Sequence, residues 1–342
     1  MQVGICTKYT HSEPTYAAIR LATELATQGA EVSLYNPWSL RELIDRNWDE
    51  HVLSAKVARF TDWARYQQCL IWTTVPHCEQ LDWATQNKIR TIVLAIWHEL
   101  DKESMASLRM ADIVLSPTIA CHAYLRRHGI EHSVHIPWDC GQPFCRKPQT
   151  HTPAAPAVLL PLWDGNARRH EATLVDIVSR ALQQNTHASV TVAYNSSTIA
   201  PHSAHLFKQM RRLHPERLQL LRGVEPSQRF RLFQQHDLAL IPSHYESLCL
   251  TQLQSIALGT PVVGFHITPV DEVLTDFNAV IVGCSQSQGF LQRNNPNYEE
   301  LDAKLTTILQ TPRQLRALQQ STPYTTFSRR EAFQKSLRES VH

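Results

Sequence analysis

Short apolar runs closed by turn residues alternate along this chain with longer stretches whose apolar positions recur every three or four residues. Gln2 to Cys6, Glu31 to Asn36, Gln68 to Val75 and Ile89 to Trp97 have the length and continuity of strands buried on both faces. Between the first two, Pro14 to Gln28 carries Ile19, Ala22, Leu25 and Ala26 on one helical face and stops at Gly29. Arg146 to Ala157 breaks the alternation with three prolines, little charge and no periodicity, the composition of a linker. The alternation then restarts. Val158 to Trp163, Ser189 to Asn195, Leu218 to Val224, Asp237 to Ser243, Thr260 to Phe265 and Asp276 to Gly283 read as strands, with helices ending at Leu182 and His236. Helical segments Tyr298 to Gln310, Pro312 to Gln320 and Ser328 to Glu339 close the chain. Strands and helices in this order predict an α/β protein with doubly wound parallel sheets.

One block runs without interruption from Ile241 to Phe265, IPSHYESLCLTQLQSIALGTPVVGF. Apolar residues at 248, 250, 253 and 256 to 258 predict a helix opening just after Glu246 and Ser247 and ending at Gly259, so the block is a strand, loop, helix and strand. In such a sheet ligands lie beyond the carboxyl ends of the strands, where the first helical turn offers N–H groups to an anion. Glu246 stands at that mouth. Its carboxylate suits sugar hydroxyls better than bare phosphate, and eight positions on, about two helical turns, Gln254 shares the expected face. A plainer reading stands beside this one: Ser247 caps the helix and Glu246 is a solvated acid near the favourable end of the dipole.

Composition narrows the classes. The chain has 342 residues, more than one ordinary core accommodates, and no apolar run approaches the ~20 residues of a membrane helix. Its first residues lack the pattern of a signal peptide. A formal net charge of +2 does not by itself indicate nucleic acid or an anionic membrane. Cysteines at 6, 69, 78, 121, 140, 145, 249 and 284 include no C-x-x-C pair, a usage that suits reduced thiols and a cytoplasmic location. His132, His135, Cys140 and Cys145 come nearest to a metal set, but their spacing fits no structural zinc pattern and no metal is expected.

The string PSHYESLCLTQLQSIALGTPVV resembles the nucleotide-sugar signature of family-four retaining glycosyltransferases, P-S-x-x-E-[GS]-[FL]-G-L-x-x-x-E-A-x-A-x-G-x-P-V-V. Pro242, Ser243, Glu246, Ser247, Leu248, Leu250, Ala257, Gly259, Pro261, Val262 and Val263 match, while Gln254 replaces the second glutamate and Cys249 a glycine. The resemblance implies that Glu246 contacts the donor sugar, that Gln254 faces the ribose, and that backbone groups at Ser247, Leu248, Cys249 and Leu250 border the donor. Further segments extend it. IWHEL resembles the family strand ending in V-H-D, which implies that His98 faces the donor sugar. ADIVLSPTIACHAYLRRHGI resembles the family's A-D-x-V run, and HIPWDCGQPF its I-P-N-G-V-D loop without the asparagine and glycine. Relatives place an arginine and then a lysine after the strand at 158–163, on the donor diphosphate. The first falls near Leu162 and is lost, and Arg169, with Arg168 beside it, occupies roughly the second position. Gly223 and Val224 resemble F-x-G-x-V, which borders the nucleobase. The loop at Thr7 to Thr15 has no glycine pair, leaving Lys8, Thr10 and Ser12 as candidate phosphate contacts beside the reading of a solvated loop.

The implied fold is GT-B: two Rossmann-like domains facing a cleft. Its expected divisions are an acceptor-side domain at 1–150, a linker at 151–157, a donor domain at 158–327 and a terminal helix at 328–342 that commonly crosses back to the first domain. The implied activity is retaining transfer of a hexose from a nucleotide diphosphate donor, a UDP-sugar such as UDP-glucose, to a hydroxyl acceptor, with the donor as co-substrate and no separate cofactor. Alternatives of other classes are a scaffold protein that kept the sugar-nucleotide fold and lost the chemistry, and a nucleotide-sugar epimerase. Basic clusters at Arg126, Arg127 and His128 and at Lys208, Arg211, Arg212 and His214 read as solvated helix faces, or as contacts to a polyanionic acceptor such as modified DNA.

Overall fold

The structure, a computed structural model, describes residues 1–7, 13–35, 60–97, 100–141, 155–163, 171–194, 199–224, 226–276, 278–286, 294–321 and 324–341. These form two compact units, Met1–Gly141 with Arg329–His342, and Gln142–Ser328.

The first unit holds strands β1 (Gln2–Cys6), β2 (Glu31–Tyr35), β3 (Cys69–Trp72), β4 (Arg90–Leu94), β5 (Ile113–Ser116) and β6 (Ser133–His135). All pair in parallel, in the order β2-β1-β3-β4-β5-β6. Between them run α1 (Glu13–Thr27), α2 (Phe60–Ala64), α3 (Cys78–Gln86), α4 (Lys102–Met110) and α5 (Ile119–Arg127). β3 is buried at every position and β4 at all but its first, as the continuous apolar runs require. Leu70, Trp72, Val93 and Val114 from the sheet and Leu81 and Leu108 from α3 and α4 belong to one core. At Gly4 an added Cβ would meet the ring of Trp63 at 2.5 Å, so glycine is what allows α2 to lie against β1.

Side chains fix the helix starts. Asp101 caps α4, accepting from Ser104 N at 2.7 Å, and Thr118 caps α5, accepting from Cys121 N at 3.1 Å. Asp112 Oδ2 accepts from Thr91 N at 2.7 Å and from its hydroxyl at 2.9 Å, pinning the start of β5 to β4. The aspartate of the A-D-x-V run thus has a structural task.

The second unit contains β7 (Ala157–Leu162), α6 (Glu171–Gln184), β8 (Ser189–Tyr194), α7 (Pro201–Leu213), β9 (Leu218–Arg222), α8 (Pro226–Gln235), β10 (Leu238–Leu240), α9 (Leu250–Ala257), β11 (Val262–Phe265) and β12 (Ala279–Val282). Its six strands are parallel, in the order β12-β11-β10-β7-β8-β9. The strand order therefore reverses between β7 and β10, and at such a switch the loops leaving the two strands diverge and open a crevice. A short hairpin, β13 (Cys284–Gln286) and β14 (Asn294–Pro296), precedes α10 (Tyr298–Gln310) and α11 (Pro312–Ser321).

The last helix, α12 (Tyr324–Val341), passes from one unit to the other, its residues from Arg329 onward belonging to the first. There Arg329 donates to Trp138 O at 2.8 Å, Gln334 to Glu24 at 3.1 Å, and Phe333 meets Trp138 edge-on. Among the described residues no helix is long and apolar enough to cross a membrane.

Several boundaries differ from the sequence reading. β4 stops at Leu94, short of the Trp97 expected. The hairpin and the short α2, α3 and α4 were not among the expected elements; each is too short or too polar for its periodicity to stand out.

Candidate functional site

The carboxyl ends of the second unit's strands carry the candidate residues. β10 ends at Leu240, and Ile241 N still bonds Val263 O at 2.8 Å. The chain then runs through residues 241–249, buried throughout except for Tyr245. α9 opens only at Leu250, with Cys249 at its N-cap, so the helix starts two residues later than the sequence spacing suggests. Two expectations change as a result. Glu246 and Gln254 are not two turns apart on one helix, because Glu246 precedes the helix. Ser247 is not the cap.

Cys249 explains the delay. Its backbone is left-handed, φ 52° and ψ 34°, a conformation that glycine supplies without strain. Cysteine therefore keeps here the backbone geometry expected of the glycine it replaces, and its side chain is fully buried. At the other end Gly259, φ +75°, reverses the chain, Thr260 N returns to Ser255 O at 3.0 Å, and β11 follows directly.

Glu246 is 2% exposed. The plainer reading of a solvated acid on a helix start therefore fails. A buried carboxylate requires hydrogen-bond donors, and Gln252, on the first turn of α9, supplies one: its Nε2 donates to Glu246 Oε1 at 3.1 Å. The Gln252 side chain is itself fully buried, and its Oε1 has no partner among the described residues, an arrangement that costs about 1–3 kcal/mol. Gln254 is 9% exposed, and its side chain bonds none of the described residues. His244 and Tyr298 share a short hydrogen bond, and both rings pack against Phe265. That aromatic corner holds the 241–249 loop against α10.

The switch point brings the end of β10 beside the end of β7. There Trp163, fully buried, meets Phe233 edge-on and carries the buried Arg229 guanidinium over its ring at 5.0 Å. Sequence reasoning named the loss of an arginine near Leu162 and missed this cation, which comes from α8. Gly223 and Val224 follow β9, three strand positions from β10 or about 14 Å along the sheet edge. Gly223 is left-handed, φ +71°, with open space where a Cβ would point. Nearby, a depression of about 380 Å³ opens at the ends of β8 and β9, with Tyr194, Lys208 and Arg222 in its lining. One ligand touching both Glu246 and Gly223 has to be extended.

His98, Arg168 and Arg169 lie outside the described residues, as do Lys8, Thr10, Ser12 and Cys145. Among the described residues no three His, Cys, Asp or Glu side chains gather as a metal site.

Residues 200–323 match the family model for Glycosyl transferases group 1, a stretch that contains the whole Ile241–Phe265 block. The matched stretch lies within the second unit. The fold extends the likeness over the full chain. The Anabaena protein HepE, solved in complex with UDP-glucose, superposes with a TM-score of 0.72 at 12% identity, covering 100% of this chain and 99% of its own. Sucrose-phosphate synthase of Thermosynechococcus elongatus gives 0.68 at 14% identity, covering 100% and 97%. The lipopolysaccharide outer core galactosyltransferase WaaB gives 0.62 at 12% identity, covering 99% and 100%. The two parallel sheets thus have the two-domain, Rossmann-like GT-B fold. No curated protein matches the chain by sequence.

Proposed function

We propose that this protein is a retaining glycosyltransferase that moves a hexose from a nucleotide diphosphate donor, a UDP-sugar, to a hydroxyl acceptor. The observation that carries the reading is Glu246, a buried carboxylate on the loop leaving β10 at the strand-order reversal, inside the segment that matches the group 1 family. HepE, with the same fold, binds UDP-glucose, which supports the choice of donor.

In this reading Glu246 accepts hydrogen bonds from hydroxyls of the donor sugar and fixes its orientation. The first N–H groups of α9 face the diphosphate, with Arg168 and Arg169 assigned to the same charge. Gly223 and Val224 border the base, and Gln254 bonds the ribose as an amide. His98 is assigned to the sugar. The bond between the anomeric carbon and the diphosphate oxygen breaks while a bond to the acceptor oxygen forms on the same face. The departing diphosphate oxygen is then the nearest base for the acceptor's proton. Stabilising that leaving group is the main demand, and fixed donors in a water-poor site meet it.

A second reading, a sugar-nucleotide-binding protein without turnover, is favoured by one observation: Gln254 replaces a carboxylate and bonds none of the described residues. Incubation with a panel of nucleotide sugars, with and without hydroxyl acceptors, separates the two. The transferase reading expects free nucleotide diphosphate with at least one donor. Tight donor binding with no release from any donor and acceptor pair overturns it in favour of the second.

A further inference from the structure

Neither the periodicity of the block nor the signature it resembles singles out Gln252. Its side chain is nevertheless fully buried and turned onto Glu246, six positions away, with Nε2 at 3.1 Å from Oε1. Only one orientation of the amide is viable, because the flipped form would set its oxygen against the carboxylate. In the orientation observed, Gln252 Oε1 is buried without a partner among the described residues. Packing alone does not account for an amide here. Leu253 and Ile256 of the same helix are buried apolar side chains, and a methionine at 252 would fill the space with no unpaired oxygen. What the chain retains is the N–H bond to Glu246.

We propose that Gln252 is a positioning residue for the donor-sugar contact: its amide holds the Glu246 carboxylate in one rotamer and in its ionised, acceptor-only form. This rests on the proposed role of Glu246. An ionised carboxylate has about four lone-pair sites, more than a single amide N–H occupies. A protonated Glu246 would instead present a donor to those hydroxyls. The amide favours the charged form because it gives a hydrogen bond to it.

The test uses the full chain and two replacements. Gln252→Met removes the donor at nearly constant volume, and is expected to lower kcat for donor turnover by about tenfold or more with little change in thermal midpoint. Gln252→Glu sets a second carboxyl against Glu246, and the pair then titrates together. While the pair shares one proton it supplies the O–H donor that replaces the amide; once both ionise they repel. Its pH profile is therefore expected to fall on the alkaline side of a midpoint that the wild type does not show, an effect no packing role produces. Full turnover in Gln252→Met, or a wild-type profile in Gln252→Glu, overturns the proposal. If Gln252→Met does not fold, the Gln252→Glu profile alone decides it. If the wild-type protein turns over no donor, the function reading fails separately and the positioning role is read by carboxylate ¹³C NMR. The Glu246 signal, assigned by its loss in Glu246→Gln, should titrate at higher pH in Gln252→Met, or in Gln252→Leu should the methionine variant not fold. An unchanged titration overturns the role.

Discussion

The guanidinium of Arg20 and the carboxylate of Asp139 meet at 3.0 Å, both side chains at least nine-tenths buried, and so tie α1 to the last residues before the chain leaves the first unit. Arg20 also bonds Glu24 at 3.0 Å and lies 4.4 Å from the Phe333 ring centre. Gly141, φ +75°, completes the cluster by donating its N–H to Asp139, and a Cβ there would meet Arg20 at 2.6 Å. Removing Asp139 leaves Arg20 paired with Glu24 alone and takes the acceptor from the Gly141 N–H. Asp139→Ala should therefore destabilise the first unit by about 1–3 kcal/mol. Urea denaturation measures this, and a loss below about 1 kcal/mol would show that the pair is not buried as described.

Acid should loosen the grip of the first unit on α12 in two stages. Burial, with smaller effects from Arg329 and His122, holds His135 below the ordinary histidine value of 6.5. For Glu24, burial alone would raise the pKa, but hydrogen bonds from Gln334, Arg20 and Gln28 and the charge of Arg20 bring it below the ordinary 4.5. Both folded values are depressed, so the stability each group contributes is present above its ordinary value and is lost as pH falls through the folded one. His135 acts first, on descent below about pH 6.5, and Glu24 below about pH 4.5. Stability measured against pH should flatten in the upper window in His135→Phe. An unaltered slope there would remove His135 from the account.

Cys249 sets a different constraint. A β-branched side chain is poorly tolerated at its φ of 52°. Glycine relieves the left-handed strain but forfeits a buried side chain, so the two effects of Cys249→Gly roughly cancel, to within about 1 kcal/mol. Cys249→Val should cost clearly more, about 1–3 kcal/mol. Paired denaturation curves check the order of the two variants; valine as well tolerated as glycine would contradict it.

The outer strand of the second sheet is covered by side chains. Lys304 donates to Ile281 O and Glu300 accepts from Gly283 N, while the two side chains pair with each other at 2.7 Å. They occupy one backbone group of β12 and one just past its end that would otherwise offer an edge for pairing. Replacing both by serine should change stability by less than about 1 kcal/mol yet raise the associated fraction seen by light scattering at high concentration. Scattering equal to that of the wild type would count against this role.

The parallel sheets were legible because β3, β4, β7 and β11 are buried on both faces and read as unbroken apolar runs. α10 was legible to the residue, its amphipathic pattern starting behind Asn297, which caps it. The start of α9 was not. Leu248 continues the apolar spacing backward, and nothing in a cysteine announces a left-handed turn. Gln252 was invisible for another reason: α9 is buried on nearly every side, so a glutamine inside it breaks the pattern without revealing which group it faces. Arg229 reaches the end of β7 from α8, a proximity set by the strand-order reversal and not by sequence spacing.

The central claim is that Glu246 holds the donor sugar, and the most direct measurement compares nucleotide diphosphate release by the wild type and by Glu246→Ala at saturating donor. Release by the wild type, reduced about 100-fold or more in a variant with an unchanged thermal midpoint, is the predicted result. Equal release by the two proteins would contradict the account.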